Sequence, residues 1–331
     1  MAPITLSVAS ARYDHMRALF DGTVTFDGVD ATLTSADLVS DIFDRMVREQ
    51  AFDVAELGLT YYLRTLDLTD PPFVALPVFP ARHFRHSAIW VNTASGIEKP
   101  QDLAGKTVGE FAIYGTDPGV WLKGILAEEY GVTPEQCRWV VGGVDAPMAP
   151  LDFVSFRHPA AVDASPAEGA LGLMLEAGEI DALISAHPPR CVLEGSPHVA
   201  PLFGDTVAAE QEWFARTEIL PIMHTVVARR DLLDEHPGLA RTLLDGFTAS
   251  RDAALAHYEF RRGTHQIDVM VPWFGDVYER ARAVLPTDWW PYGVAANRAT
   301  LEAFLRHTHD QGLSDRRRGV DELFAPELLD T

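Results

Sequence analysis

Short runs of apolar residues alternate with polar positions along the first ninety residues, and one stretch between them has helical spacing. The runs typical of strands are Ile4 to Ala9, Val24 to Leu33, Val54 to Leu57, Phe73 to Phe79 and Ala88 to Asn92. The stretch from Asp37 to Gln50 repeats its apolar residues with the period of a helix. This order predicts an α/β domain.

A second series of predicted elements follows Gly105 and again mixes strands with helices. It comprises a strand at 107–112, a helix at 118–130, a strand at 138–141, a helix at 166–177 and a strand at 181–185. A further strand at 222–228 leads into helical segments that end near residue 311. The chain is therefore predicted to form two lobes with a central cleft, one lobe from 1–90 plus 224–331 and the other from 91–223.

Composition and charge narrow the classes of partner. The 331 residues are 47% hydrophobic, which is enough for a large core, but no apolar run reaches the roughly 18 residues of a membrane-spanning helix. The N-terminus enters a strand pattern directly, so a cytoplasmic protein is expected. A formal net charge of −21 argues against nucleic acids and anionic membranes as partners.

One basic segment stands out from this acidic background. Arg82-His83-Phe84-Arg85-His86-Ser87 lies between two apolar runs. A solvated hairpin loop is one interpretation, but the segment contains no Gly, Asn or Asp for a tight turn. The alternative is an anion site in which Arg82 and Arg85 bind carboxylates and His86 carries protons.

Several segments together resemble one enzyme family. They are Pro72 to Ser87, Pro221-Ile222-Met223-His224-Thr225-Val226-Val227, Trp290-Pro291-Tyr292-Gly293 and the closing Glu322-Leu323-Phe324-Ala325-Pro326-Glu327. With these segments the chain resembles the 4,5-dihydroxyphthalate decarboxylases, and the likeness spans nearly the whole chain. The resemblance implies a two-lobed type II periplasmic-binding-protein-like fold and a carboxy-lyase of phthalate degradation, a branch of aromatic compound catabolism.

The resemblance also implies a chemistry. A cofactor-independent enzyme would convert 4,5-dihydroxyphthalate, a small aromatic carboxylate, to protocatechuate and CO2. Arg82 and Arg85 would hold the carboxylates, and His86 and His224 would form the acid–base pair. Glu56, at the end of an apolar strand, would orient a histidine or accept a phenol proton, or it would cap the helix that begins near Leu59. No metal is expected, since the histidine spacings lack a zinc motif.

Further residues are predicted to line the substrate site together with Ser87. Tyr13 and Asp14 follow the first strand, and His187 follows another. Tyr114 and Thr116 belong to a segment before a helix, and the amides and hydroxyl of this segment would bind a carboxylate with the help of the helix dipole, although a simple N-cap is the stronger interpretation of Thr116. Trp290 and Tyr292 would form an aromatic wall, or else pack between the last helices.

Two other functions fit the same sequence. A related decarboxylase would act on a different aromatic acid, with divergence at His187 and at residues 142–166. A non-catalytic solute-binding protein of the same fold would bind small anions. The apolar C-terminal helices are compatible with a homo-oligomer in each case.

Overall fold

A computed structural model of the chain describes residues 2–148, 164–264 and 269–331. The described chain divides into two compact units. Unit 1 contains Met1–Arg82, Ile222–Ala299 and Val320–Thr331, and unit 2 contains His83–Pro221 and Thr300–Gly319. Most of the segment 142–166, where divergence between relatives was expected, lies outside the described residues.

Strands and helices alternate along the described chain. The strands are β1 Ile4–Ala9, β2 Val29–Thr34, β3 Val54–Gly58, β4 Phe73–Leu76, β5 Ile89–Asn92, β6 Thr107–Phe111, β7 Arg138–Gly142, β8 Ala164–Pro166, β9 Ala182–Ile184, β10 Val199–Pro201 and β11 His224–Arg229. The helices are α1 Arg17–Phe20, α2 Val39–Glu49, α3 Leu59–Thr65, α4 Asp117–Tyr130, α5 Leu171–Ala177, α6 Arg190–Leu193, α7 Thr206–Thr217, α8 Arg230–Glu235, α9 Leu239–Thr264, α10 Phe274–Val284 and α11 Arg298–Asp310.

Unit 1 is built on a five-stranded sheet in the order β2-β1-β3-β11-β4. The first three of these strands are parallel, whereas β11 is antiparallel to both of its neighbours. All five residues of β3 are buried, as expected for a central strand, and they include the charged residue Glu56. Because β11 is antiparallel to β3, the carboxyl end of β3 and the amino end of β11 share one edge, where Gly58 pairs with His224.

Unit 2 is built on a six-stranded sheet in the order β10-β5-β9-β6-β7-β8. The strands β9, β6, β7 and β8 are parallel, and β5 is antiparallel to both of its neighbours. A buried apolar cluster beneath this sheet includes Trp90, Leu171 and Leu183.

The boundaries between the units differ from the predicted lobe boundaries in three places. Residues 83–90 and 300–319 belong to unit 2 instead of the first lobe, and residues 222–223 belong to unit 1 instead of the second lobe. The first difference arises because β5 pairs with β9 and β10 of the second sheet. The second arises because α11 packs on α4, where the ring of His307 lies against Trp121 with centroids 5.6 Å apart.

Element ends also differ from the predictions where proline or local packing intervenes. The strand expected at 73–79 ends at Leu76, directly before Pro77, which has no N–H to donate to a ladder. The helix expected from residue 166 begins only at Leu171. No helix among the described residues is long and apolar enough to cross a membrane.

Candidate functional site

The centre of the candidate site in unit 1 is the carboxylate of Glu56, which lies on β3 and is fully buried. A buried carboxylate is costly unless hydrogen-bond donors compensate its charge. Four groups fill this role here. Oε2 accepts from Ser10 Oγ and Ala11 N, both at 2.9 Å, and Oε1 lies 2.7 Å from both Tyr13 Oη and His224 Nδ1.

These contacts decide the ionisation of Glu56. Burial alone would raise its pKa, but the hydrogen bond and charge of His224, together with the Ala11 amide and the Tyr13 hydroxyl, lower the pKa below its ordinary value. Glu56 is therefore a carboxylate at neutral pH. Its contact with His224 fits the orienting interpretation, whereas the α3 N-cap at Gly58 has no side-chain capping bond.

His224 is held in one orientation by its neighbours. It is the first residue of β11, and its side chain is 16% exposed. Nδ1 faces the Glu56 carboxylate, and the edge of Phe43 meets the ring at a centroid distance of 5.0 Å and an angle of 88°. Since an ionised carboxylate accepts but cannot donate, Nδ1 carries the proton and Nε2 is the nitrogen left for proton exchange.

Tyr13 and Asp14 lie just after β1, as predicted. Tyr13 donates its hydroxyl to Glu56, and burial and the Glu56 charge raise the pKa of this phenol. Asp14 accepts from His15 through one oxygen, and Tyr258 donates to the other oxygen. The His15 hydrogen bond is the main reason that the pKa of Asp14 is lowered.

Arg82 is anchored inside unit 1. Its guanidinium donates to the carbonyl of Pro291 at 2.8 Å and to Oδ1 of Asn297. It also lies over the rings of Phe79 and Trp290, 5.3 and 6.0 Å from their centroids. Burial lowers the pKa of Arg82 to about 9, which leaves the group charged at neutral pH.

Trp290 and Tyr292 are both packed into unit 1. The indole of Trp290 donates to the carbonyl of Phe79 at 2.9 Å. Tyr292 is buried beneath Arg251, whose guanidinium lies 5.2 Å from the ring centroid. Among the described residues its hydroxyl has no hydrogen-bond partner, and burial raises its pKa.

Residues 83–87 of the basic segment belong to unit 2, where the side chains of Arg85 and His86 are buried. Arg85 is buried, and burial lowers its pKa to about 10, while Asp117 and Glu210 favour its charged form. Ser87 follows in a 3-10 turn at His86–Ala88, and its backbone N–H donates to Glu210 at 3.2 Å. The strand predicted from this point begins at Ile89.

His86 lies in an aromatic environment. Its ring meets Phe203 and Trp213 edge-on, at centroid distances of 5.0 and 5.8 Å. Burial lowers its pKa to about 4, so the imidazole is neutral at pH 7. Its Nδ1 is buried and has no hydrogen-bond partner within the part of the chain that is described.

The loop before α4 is organised by a residue that the sequence analysis missed. Glu110, on β6, accepts from the amides of Gly115 and Thr116 at 3.0 and 3.2 Å. Its other oxygen pairs with Lys123, whose Nζ also lies 3.8 Å from the centroid of Tyr114. The amides expected to bind a substrate carboxylate therefore bind an internal one. Charged residues at apolar positions of β6 and α4 were the available signal.

Thr116 and His187 have simpler surroundings. Thr116 is the N-cap of α4, and its hydroxyl accepts from Gly119 N at 3.4 Å, as the capping interpretation held. His187 is exposed and meets the ring of Phe111 edge-on at 5.3 Å. Within the described residues, no group of three or more His, Cys, Asp or Glu side chains is placed to hold a metal ion.

Comparison with known proteins assigns the chain to a family. A 4,5-dihydroxyphthalate decarboxylase from Comamonas testosteroni is 37% identical over 333 residues, covering 100% of this chain and 99% of the relative. The chain belongs to the 4,5-dihydroxyphthalate decarboxylase family. A second protein of that name, from Pseudomonas putida, is 35% identical over 216 residues, covering 65% of this chain and 83% of the relative. No family model matches the chain.

Solved structures agree on the fold. The periplasmic aliphatic sulphonate binding protein from Escherichia coli aligns with a TM-score of 0.54 at 12% identity, covering 99% of this chain and 100% of the other. A periplasmic sulfonate-binding protein from Methylobacillus flagellatus aligns with a TM-score of 0.55 at 14% identity, covering 99% and 93%. The predicted periplasmic-binding-protein-like fold and the carboxy-lyase family are thus both confirmed.

Proposed function

We propose that this protein decarboxylates 4,5-dihydroxyphthalate to protocatechuate and CO2. The observation that carries the proposal is the buried Glu56 carboxylate 2.7 Å from Nδ1 of a partly exposed His224. Such a pair presents a proton-exchanging nitrogen in one fixed orientation. The shared name of two relatives supports the choice of substrate.

The reaction requires one proton to reach carbon and another to leave a phenol. A proton adds to the ring carbon that bears the departing carboxylate, while the phenol para to it loses its proton and becomes a carbonyl. The carbon–carboxylate bond then breaks, CO2 leaves, and the bonding electron pair returns to the ring, which becomes aromatic again as a phenolate. Protonation of the phenolate completes the product. The ring itself accepts the electrons, so the protein supplies binding and proton transfer.

His224 is the proposed acid–base group of unit 1. Glu56 holds Nδ1–H and stabilises the imidazolium that forms when Nε2 accepts the phenol proton. Positioned proton transfer of this kind typically contributes roughly 100- to 10,000-fold in rate. Glu56 carries its charge at neutral pH, as this role requires.

The remaining roles rest on residue chemistry. Arg85 and Arg82 remain our candidates for binding substrate carboxylates, since both stay charged at neutral pH. His86 is proposed as the second proton carrier. With a pKa of about 4 its ring is neutral at pH 7, so it takes up a proton from solvent and passes that proton to the ring carbon, while His224 accepts the proton of the phenol.

Direct turnover tests the proposal. Purified, chelator-treated protein is incubated with 4,5-dihydroxyphthalate, and released CO2 and protocatechuate are quantified together. Phthalate, which lacks both phenols, is the matched control because it cannot form the para carbonyl. We expect equal amounts of the two products and no CO2 from phthalate. Saturable binding of 4,5-dihydroxyphthalate without product would instead support a binding protein or an enzyme for another aromatic acid.

A further inference from the structure

We propose that Tyr13 and His15 are positioning residues that fix the Glu56 carboxylate against His224. His15 was not among the predicted site residues, and Tyr13 was expected to line the substrate site. The inference rests on the proposed function, because it assigns a role in the same proton-transfer pair. Every contact that carries it lies within unit 1.

The first link is the hydroxyl of Tyr13. It donates to Oε1 of Glu56 at 2.7 Å, and the same oxygen lies 2.7 Å from Nδ1 of His224. Because two donors share this oxygen, each of them uses part of its capacity to accept hydrogen bonds. Together the two donors fix the orientation of the Glu56 carboxylate. Removal of the hydroxyl would leave Oε1 to His224 alone, while Ser10 and Ala11 would still hold Oε2.

The second link is the ring of His15. It stacks on Tyr13 with an angle of 8° between the planes and a centroid distance of 5.1 Å. Trp290 covers it at a centroid distance of 5.4 Å. Tyr13 therefore belongs to a column of three packed rings, which limits the rotation of its phenol.

The third link anchors the column to the backbone. Oδ1 of Asp14 accepts from both the backbone N–H of His15, at 2.7 Å, and Nδ1 of its ring, at 2.9 Å. The other carboxylate oxygen accepts from Tyr258, on α9, and Ser250 of the same helix donates to the carbonyl of His15 at 2.8 Å. A continuous series of contacts therefore connects α9, through His15 and Tyr13, to the Glu56–His224 pair.

A buried ring nitrogen supports a dedicated role for His15. The residue is 8% exposed, and its Nε2 is buried without a hydrogen-bond partner among the described residues. A phenylalanine would fill the same space without an unsatisfied nitrogen. The histidine is useful here because Nδ1 lets Asp14 fix the plane of the ring.

The test reads the His224 ring directly, without substrate. Protein labelled with 15N-histidine is observed through the carbon-bound ring protons, and the His224 signals are assigned by their loss in His224→Gln. In Tyr13→Phe we expect the Nδ1 resonance to move downfield, because Oε1 of Glu56 then accepts from His224 alone. Tyr278→Phe is the matched control, since Tyr278 donates to Glu259 at 2.9 Å on the exposed surface of the same unit.

Two substitutions at His15 separate stacking from mere folding. His15→Leu removes the ring and is expected to move the His224 resonance in the same direction as Tyr13→Phe. His15→Phe restores the stacking on Tyr13 and is expected to return the His224 resonance most of the way to its wild-type position. For 4,5-dihydroxyphthalate, Tyr13→Phe and His15→Leu should each lower kcat roughly tenfold with little change in KM, and His15→Phe should recover most of it.

The outcomes distinguish this inference from the proposed function. Wild-type-like His224 resonances in both Tyr13→Phe and His15→Leu would overturn the positioning role, whatever the activity. The shifts expected above, in a protein without turnover of 4,5-dihydroxyphthalate, would support the positioning role while contradicting the proposed substrate. A tenfold rise in KM with constant kcat would also overturn it, because that result indicates substrate binding by Tyr13.

Discussion

At the scale of single residues, the central feature is a carboxylate within an apolar strand. The sequence predicts Glu56 at the end of its strand, whereas Glu56 is the central residue of β3, and orienting a histidine was one of several interpretations that the sequence left open. Its partner was harder to identify, because His224 lies 168 residues away in the sequence. Only the antiparallel pairing of β3 with β11 brings the two together, and neither residue's local pattern contains that information.

Replacement of Glu56 by glutamine tests the charge of this pair. The amide keeps the shape but cannot stabilise an imidazolium, so we expect kcat on 4,5-dihydroxyphthalate to fall by roughly 100-fold or more. Steady-state kinetics check the result. Asp53→Asn is the control, since Asp53 accepts from Ser7 at 2.8 Å in the same unit. An equal fall in kcat in both variants would contradict a specific role of Glu56, because it would indicate a general effect of removing a carboxylate.

Replacement of Arg85 by methionine tests the carboxylate-binding role in unit 2. Loss of a charge-assisted contact to the substrate should raise KM by roughly 10- to 100-fold while kcat changes little. The control is Arg216→Met, which removes an exposed arginine paired with Glu129 in the same unit. If KM stays constant while the urea midpoint falls, Arg85 acts only in folding.

At the scale of secondary structure, most strands were predictable from the sequence, whereas the ends of several elements were not. Apolar residues located β1, β3 and β6 to within a residue or so, although each of these strands also contains polar residues. The start of α5 was missed by several residues. The assignment of α11 mainly to unit 2 also escaped the sequence, since it depends on a long-range contact between Gly124 and His307.

That contact yields a stability prediction. A Cβ added at Gly124 would lie 2.4 Å from ring atoms of His307, so Gly124→Ala must displace the ring or separate α4 from α11. We expect a loss of about 1–3 kcal/mol in the free energy of unfolding, measured by urea denaturation. The control is Gly263→Ala, also in a helix, where a Cβ meets nothing within 4 Å. A midpoint for Gly124→Ala at or above that of the control would contradict the packing described.

At the scale of the whole molecule, composition and resemblance predicted the fold class and the family, and both are confirmed. What they could not supply was the internal balance of charge in a chain of net charge −21. The buried pair of Glu110 and Lys123 and the buried imidazoles of His86 and His307 are examples. The groups that contact these side chains are brought there by tertiary packing, which the local sequence pattern does not predict.

The two buried histidines predict how stability depends on pH. Burial lowers the pKa of both His86 and His307 to about 4, whereas the ordinary value is 6.5. Between these values the unfolded chain binds protons that the folded chain does not, so the free energy of unfolding falls as pH falls from about 6.5 towards 4. By pH 5 the free energy of unfolding is expected to be lower than at pH 7 by on the order of 1–2 kcal/mol per histidine.

Urea midpoints at pH 7 and pH 5 check this dependence. His86→Phe removes one titrating ring and keeps the aromatic packing, so its midpoint should fall less than that of the wild type. His309→Phe is the control, because His309 is exposed on α11. Equal falls in the wild type and in His86→Phe would show that His86 takes up its proton without cost in the folded state.

The central claim is that the His224–Glu56 pair performs the proton transfer of decarboxylation. The most direct measurement is kcat of His224→Gln on 4,5-dihydroxyphthalate, beside the wild type and with the urea midpoint of both proteins recorded. We predict a fall of roughly 100-fold or more in a variant that remains folded. A folded His224→Gln variant whose kcat stays within about threefold of the wild type would contradict the account.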